Sequence, residues 1–278
     1  MSESFSTRPV VVGIDGSHGA IRAARWAVGE VAGTDTLLRL LYCPEVGIGP
    51  NRQACHEFSD AAEQAIHATQ AAVEALSPSV KIEVDVVEGL ALPALIDAAQ
   101  SAQLLCIGNA EPGNTYSSGF GSTAMTLMER ASCPVAVVRN DFPDNRSIIA
   151  LIDGSANDEA VLDWGFAEAD RRGAPLMLLT AYRTEFDLLQ KDNVLRDHDE
   201  RMEKVLEGYV ASRAPQYPGV ELETLTAFST FLRYLHHQAE ETQLAIISAH
   251  KTSEVGQIVN ACGAVALSGS DFSLLAVR

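Results

Sequence analysis

The phrase Ile14-Asp15-Gly16-Ser17 returns as Ile152-Asp153-Gly154-Ser155, 138 positions later, and each copy follows an apolar run. The register outlasts the phrase: Trp26 maps onto Trp164, and Leu38-Arg39-Leu40-Leu41 onto Leu176-Met177-Leu178-Leu179, at the same offset. Val137-Val138-Arg139 then pairs with Ala276-Val277-Arg278 at an offset of 139, so each copy ends in a short apolar strand closed by arginine. Register kept over half a chain marks a duplicated fold. The 278 residues divide into two domains of ordinary size, placed at 1–140 and 147–278, with the polar segment Asn140 to Arg146 around Pro143 as linker.

Strand and helix patterns alternate within each copy. In the first, strands are expected at Val10 to Asp15, Leu37 to Cys43, Lys81 to Val87, Leu104 to Ile107 and Val135 to Arg139. Helices are expected at Ala20 to Ala32, Asp60 to Leu76, Pro93 to Ser101 and Thr123 to Ala131, with a Pro/Gly-rich loop from Pro44 to Asn51. The second copy repeats the order, with strands at Ser147 to Asp153, Leu176 to Tyr182, Val220 to Thr226, Leu244 to Ser248 and Leu274 to Arg278, and helices at Glu159 to Arg172, Asn193 to Ser212 and Phe231 to Thr242. Continuous Val/Ile/Leu strands separated by helices predict parallel sheets covered on both faces. The fold class is therefore α/β: two tandem, doubly wound, open parallel sheets of five strands each, Rossmann-like.

Charge narrows the function. With 20 Lys+Arg against 37 Asp+Glu the net charge is −17, and nucleic-acid binding, which depends on basic side chains, is excluded as an expectation. No apolar run approaches a membrane span, and Met1 to Arg8 lacks a signal-like apolar core, so a cytoplasmic location is expected. The five cysteines show no CxxC spacing, which argues against zinc or a disulfide framework; Cys106 and Cys133 read as small buried hydrophobes.

Ligands of doubly wound sheets lie beyond the carboxyl ends of the strands, where the winding reverses. That points to the ends of the first and fourth strands, at Asp15 and at the glycine-rich stretch Gly108 to Thr123. Gly121-Ser122-Thr123 at a helix start would aim free N–H groups and a positive dipole end at an anion, with phosphate as the natural guest. No Lys or Arg lies between Gly108 and Thr123, so phosphate would depend on N–H groups, hydroxyls and a divalent cation, Mg or Mn. The plain alternative is a turn at Gly119 and Gly121 with Ser122 as a cap. Neither GxxxxGK[ST] nor a GxGxxG behind the first strand is present. His18, behind Asp15, reads as an exposed loop histidine at the mouth of the site. His236 and His237, beside Tyr234 and Leu235, have no metal-site spacing.

The spacing resembles the universal stress protein family, whose nucleotide-binding members carry G-x2-G-x9-G-[ST] after the fourth strand and an Asp after the first. Gly108, position 111, Gly121 and Ser122 reproduce that spacing and Asp15 supplies the acid. The resemblance spans nearly the whole chain, in the tandem form found in actinobacteria. It implies that Asp15 takes ribose or adenine, that Cys43 lies near adenosine, that Gly108 leaves room for the nucleoside, and that Gly121, Ser122 and Thr123 hold phosphate. One departure stands out: the motif's second glycine is Glu111 here. Either Gly113 takes over the close approach, or Glu111 helps ligate a phosphate-bound metal. In the second copy the corresponding positions are Ser248, Lys251, Ala261 and Cys262, a degenerate site beside the retained Asp153.

The resemblance implies a cytoplasmic stress-response protein binding ATP or a related adenine nucleotide in its first half. At most slow hydrolysis is expected, because the cationic clamp and base of efficient phosphoryl transfer are not visible. The alternative is a nucleotide-independent scaffold acting by dimerisation and protein contacts; an ATP-using transferase lacks a substrate domain. Family halves pair through their final strands, which predicts a pseudo-twofold chain that dimerises again into a homodimer.

Overall fold

The computed structural model describes residues 8–44, 52–109, 121–139, 146–152, 155–181, 204–227, 238, 240–249 and 272–278, with 52–59, 181, 226 and 227 described in backbone only. The chain forms two compact units, Met1–Asp141 and Phe142–Arg278.

In the first unit the order is β1 (Val10–Ile14), α1 (His18–Val31), β2 (Leu38–Tyr42), α2 (Arg52–Leu76), β3 (Ile82–Val86), α3 (Ala91–Ala99), β4 (Leu104–Gly108), α4 (Ser122–Arg130) and β5 (Val135–Val138). The strands lie in the order β3-β2-β1-β4-β5, all parallel. The chain winds outward from β1 through β2 to β3, then returns to β4 on the other side of β1. Right-handed crossovers therefore put α1 and α2 on one face and α3 and α4 on the other, and α1 packs with α2 as α3 does with α4. A strand covered on both faces has no polar side to present, and Val10, Val11, Val12, Leu104, Leu105 and Cys106 are essentially inaccessible. β3, at the outer edge, keeps only half-buried Ile82 and Val84 against its neighbour and turns Glu83 outward.

The second unit repeats the plan with β6 (Ser147–Ile152), α5 (Asp158–Arg172), β7 (Leu176–Ala181), a helical segment at 204–213, β8 (Leu222–Ala227), β9 (Thr242–Ser248) and β10 (Ser273–Val277). Its strands are ordered β10-β9-β6-β7-β8, again parallel. α5 ends at Gly173, whose φ of 60° is the left-handed stop that an L side chain resists. Just before that stop, the fully buried Glu168 is held by Arg171 and Arg172.

Three expectations need correction or fall outside the described residues. α2 begins at Arg52 rather than Asp60: once past Pro50, residues 52–59 contain no glycine or proline to oppose continuing the helix toward the chain's amino end. Thr242, expected to end a helix, opens β9 and is buried there; its hydroxyl donates to the Gln238 carbonyl at 2.8 Å. Most of the expected helices at Phe231 to Thr242 and Asn193 to Ser212, and most of the linker, lie outside the described residues. Cys106 and Cys133 are buried as expected.

Candidate functional site

Register fixes the edge where a ligand would sit. Ile14 pairs with Tyr42 across β1 and β2, so Asp15 and Cys43 follow the same level of the sheet. Pairing of β1 with β4 runs only from Val10 and Leu104 to Val12 and Cys106. The ladder toward β4 thus closes two residues before the ladder toward β2, at the switch point of the winding.

Asp15 is exposed at that edge. Gly16 turns the chain with φ 84°, a conformation open to glycine at little cost, and brings the Ser17 N–H onto Asp15 Oδ1 at 2.9 Å. Ser17 then caps α1, its hydroxyl accepting from the Ala20 N–H at 3.1 Å. The carboxylate is thus oriented by the backbone, while the helix behind it has its own cap. His18, expected in a loop, is instead the first residue of α1 behind the Ser17 cap, and it is exposed as expected. Cys43, half-buried after β2, has its thiol pKa pushed up, first by burial and then by the charge of Asp85 on β3.

Gly108 and Gly121 behave differently. A Cβ on Gly108 would run into the backbone of Gly19 and Ala20, and one on Gly19 would come within 2.6 Å of the Asn109 carbonyl oxygen. The room left by Gly108 is filled by the first turn of α1, so close helix–strand approach accounts for both glycines. Around Gly121, by contrast, no described atom lies within 4 Å of where a Cβ would stand.

Gly121 precedes the first turn of α4 with φ −57°, and no side chain caps that helix among the described residues. Only four residues separate α4 from β5, so α4 runs antiparallel to the strands and its amino end faces the edge that carries Asp15. Ser122 and Thr123 are exposed there, while Ala124, Leu127 and Met128 anchor the helix in the core. Uncapped N–H groups at such an end carry about half a positive charge. An exposed, oriented carboxylate and a helix end without a cap among the described residues, on one edge, can accept from sugar or base donors and donate to an anion.

Glu111 and Gly113 lie outside the described residues, as do Asp153, Lys251, Ala261 and Cys262. One residue that sequence reasoning passed over is Asn109. Its N–H donates to the Val138 carbonyl at 2.9 Å, and with its amide oriented to satisfy both groups, its side-chain oxygen accepts from Arg139 Nε at 3.0 Å and Nη2 at 3.2 Å. The only signal in the sequence is that both residues directly follow strands.

In the second unit the place of Gly19 and Gly108 is taken by Asn157 and Ser248. Here Asn157 Nδ2 donates to Ser248 Oγ at 2.8 Å, a side-chain bridge where the first unit packs bare backbone. Among the described residues no cluster of His, Cys, Asp and Glu suits a metal ion, and no helix is long and apolar enough to cross a membrane.

Comparison with known proteins gives these features a family. The family model described as the universal stress protein family matches residues 6–139 and again 144–262. Universal stress protein Rv2624c of Mycobacterium tuberculosis is 31% identical over 282 residues, covering 98% of this chain and 96% of that protein. Universal stress protein Rv3134c of the same organism is 34% identical over 272 residues, covering 95% and 94%. Among solved structures, a universal stress protein from Archaeoglobus fulgidus superposes with a TM-score of 0.70 at 15% identity, over 97% of this chain and 96% of that one, a likeness of fold. With its double match, its near full-length relatives and its repeated α/β units, the chain belongs to the universal stress protein family.

Proposed function

We propose that the first unit binds an adenine nucleotide, ATP or a close relative, together with Mg or Mn, at the edge between β1 and β4, as part of a cytoplasmic stress response. The observation that carries this reading is the amino end of α4, where among the described residues no side chain caps the helix and nothing approaches a Gly121 Cβ, on the edge that bears the oriented Asp15 carboxylate. Asp15 would accept from ribose or adenine donors and Cys43 would line the nucleoside. Gly121, Ser122 and Thr123 would present N–H groups and hydroxyls to phosphate, with Glu111 and Gly113 in the loop before them. A divalent cation would offset phosphate charge that the first turn of α4, without basic side chains, leaves unbalanced. Among the described residues of this set no base is positioned toward water and no cationic clamp faces the phosphates, so hydrolysis is slow at most.

Heat-denaturing the purified protein and chromatographing the supernatant should release bound nucleotide, and calorimetry with ATP and magnesium or manganese should show binding. Asp15→Ala and Gly121→Val should abolish it, whereas Asp153→Ala should not, since the second unit's site is degenerate in this reading. No released nucleotide and no calorimetric signal would sink the proposal. Glu111→Gly tells whether that glutamate repels phosphate, in which case binding tightens, or helps hold the metal, in which case it weakens.

A second reading, a nucleotide-independent scaffold, draws on Gly108, whose open side is taken by the chain's own backbone, and on Glu111. Either reading includes a homodimer of tandem chains, for which a mass measurement in solution is the check.

A further inference from the structure

Leu76, Val86, Leu90 and Leu225 are large hydrophobic residues exposed among the described ones. Three of them lie where packing partners run out: Leu76 closes α2, Val86 closes the edge strand β3, and Leu225 lies on the edge strand β8. Leu90 is 78% exposed and stands at the start of a helix. An exposed leucine alone is ordinary on a protein surface; its place in the fold sets this one apart.

Leu90 takes the N-cap position of α3. Its backbone is extended, with φ −80° and ψ 133°, its carbonyl accepts from the Ala94 N–H at 3.3 Å, and its side chain makes no cap bond. Serine, threonine, aspartate or asparagine would bond a free N–H there, whereas leucine gives the helix nothing. A residue that works against its own element is expected where function compensates.

Four residues separate α3 from β4, so α3 runs antiparallel to the strands and starts at their carboxyl edge. Its height is fixed by Leu95, whose Cδ2 lies 3.0 Å from where a Cβ on Gly13 would stand. From Leu95 back to Leu90 is about 7.5 Å along a helix, and from Gly13 on to Asp15 is about 6.6 Å along a strand. Leu90 therefore stands level with Asp15, whose carboxylate is held by the Ser17 N–H. The segment leading to it is pinned at the same edge, where the Val87 N–H donates to the Tyr42 carbonyl at 2.9 Å, one residue before Cys43.

The two side chains ask for different parts of one ligand. A carboxylate accepts from polar donors; leucine has nothing to offer a phosphate and takes an apolar face. The sequence neighbours Glu88, Gly89 and Ala91 are exposed and add no large apolar side chain, too little for a protein interface of about 800 Å² per partner. One leucine matches one flat heterocycle.

We propose that Leu90 covers the face of the ligand's base while Asp15 takes donors of the same nucleoside. This rests on the nucleotide reading above, and the test separates the two. Calorimetric titrations with adenosine, ATP and inorganic tripolyphosphate, each with magnesium, would compare the unaltered protein with Leu90→Ser and Leu90→Met, alongside the melting temperature of each without ligand. Leu90→Ser should weaken adenosine and ATP about tenfold, the worth of covering a leucine, and leave tripolyphosphate unchanged. Its melting temperature should hold or rise, because serine supplies the missing cap. Leu90→Met, which keeps an apolar side chain, should stay within about twofold of the unaltered protein. Unchanged adenosine and ATP affinity in Leu90→Ser overturns the proposal and leaves the nucleotide reading standing. A fall in all three affinities, or a lower melting temperature beside the loss, marks a structural role and overturns it too. If the unaltered protein binds neither adenosine nor ATP, the nucleotide reading fails and the role of Leu90 falls with it.

Discussion

The two units bring the start of a helix onto the end of the fourth strand by opposite means. In the first, Gly19 and Gly108 remove both side chains, so that backbone lies on backbone; in the second, Asn157 and Ser248 keep theirs and join them by a hydrogen bond. The ladders around the two junctions are alike: β1 with β4, and β6 with β9, both stop two residues before the central strand's pairing on its other side. The difference teaches that the strand topology does not dictate glycine at this place. The glycine pair lets backbone meet backbone and tolerates no side chain, and the polar pair joins the same two elements through a specific bond.

Breaking the first junction should have the largest effect. Gly108→Ala would push a methyl into the backbone of Gly19 and Ala20, which cannot yield without moving α1, and should cost about 3 kcal/mol or more. Trp26 and Trp164 are the only tryptophans, one in each unit. Urea unfolding followed by fluorescence in a Trp164→Phe background therefore reports the first unit alone. A cost under about 1 kcal/mol would show that the start of α1 gives way and that the contact is not tight.

The second junction should break more gently. Asn157→Ala and Ser248→Ala should each cost about 1 kcal/mol, the usual worth of such a bond, with a coupling of similar size in the double variant. Trp164 in a Trp26→Phe background is the probe. Costs that simply add would mean the bond contributes nothing.

The smallest effect sharpens the comparison at the site itself. Because burial and Asp85 raise the Cys43 pKa, its alkylation near pH 8 should be slower than that of a free thiol, and Asp85→Asn should speed it modestly. The folded state holds this proton more tightly than the unfolded chain. The associated stability is therefore full below the ordinary thiol range and is lost as pH rises through the raised value. Equal rates for Cys43 and a reference thiol would contradict the described burial.

The strands were legible because sheets buried on both faces leave a one-dimensional trace: Val10 to Val12 and Leu104 to Cys106 are apolar without interruption. The repeat carried the rest of the architecture. What escaped was contact between distant positions. Nothing local to Gly19 announces that it meets Gly108, 89 residues on, so Gly108 reads as a ligand glycine when chain packing already explains it. Asn109 and Arg139 escaped for the same reason, since their meeting depends on two strand ends lying side by side. The start of α2 at Arg52 was missed because residues 52–59, which contain no glycine or proline to break a helix, carry little apolar periodicity to announce one.

The outer strands have a consequence for self-association. β3 ends the strand order of the first unit on one side and β8 that of the second, and an unpaired strand edge is a template for another chain. β3 carries Glu83 and Asp85, and β8 carries Glu223 with Glu221 just before it. Two copies meeting β3 to β3 or β8 to β8 would set like charges across a new ladder, between molecules that already repel one another. Like charges thereby guard these two edges against pairing with a second copy of the same strand.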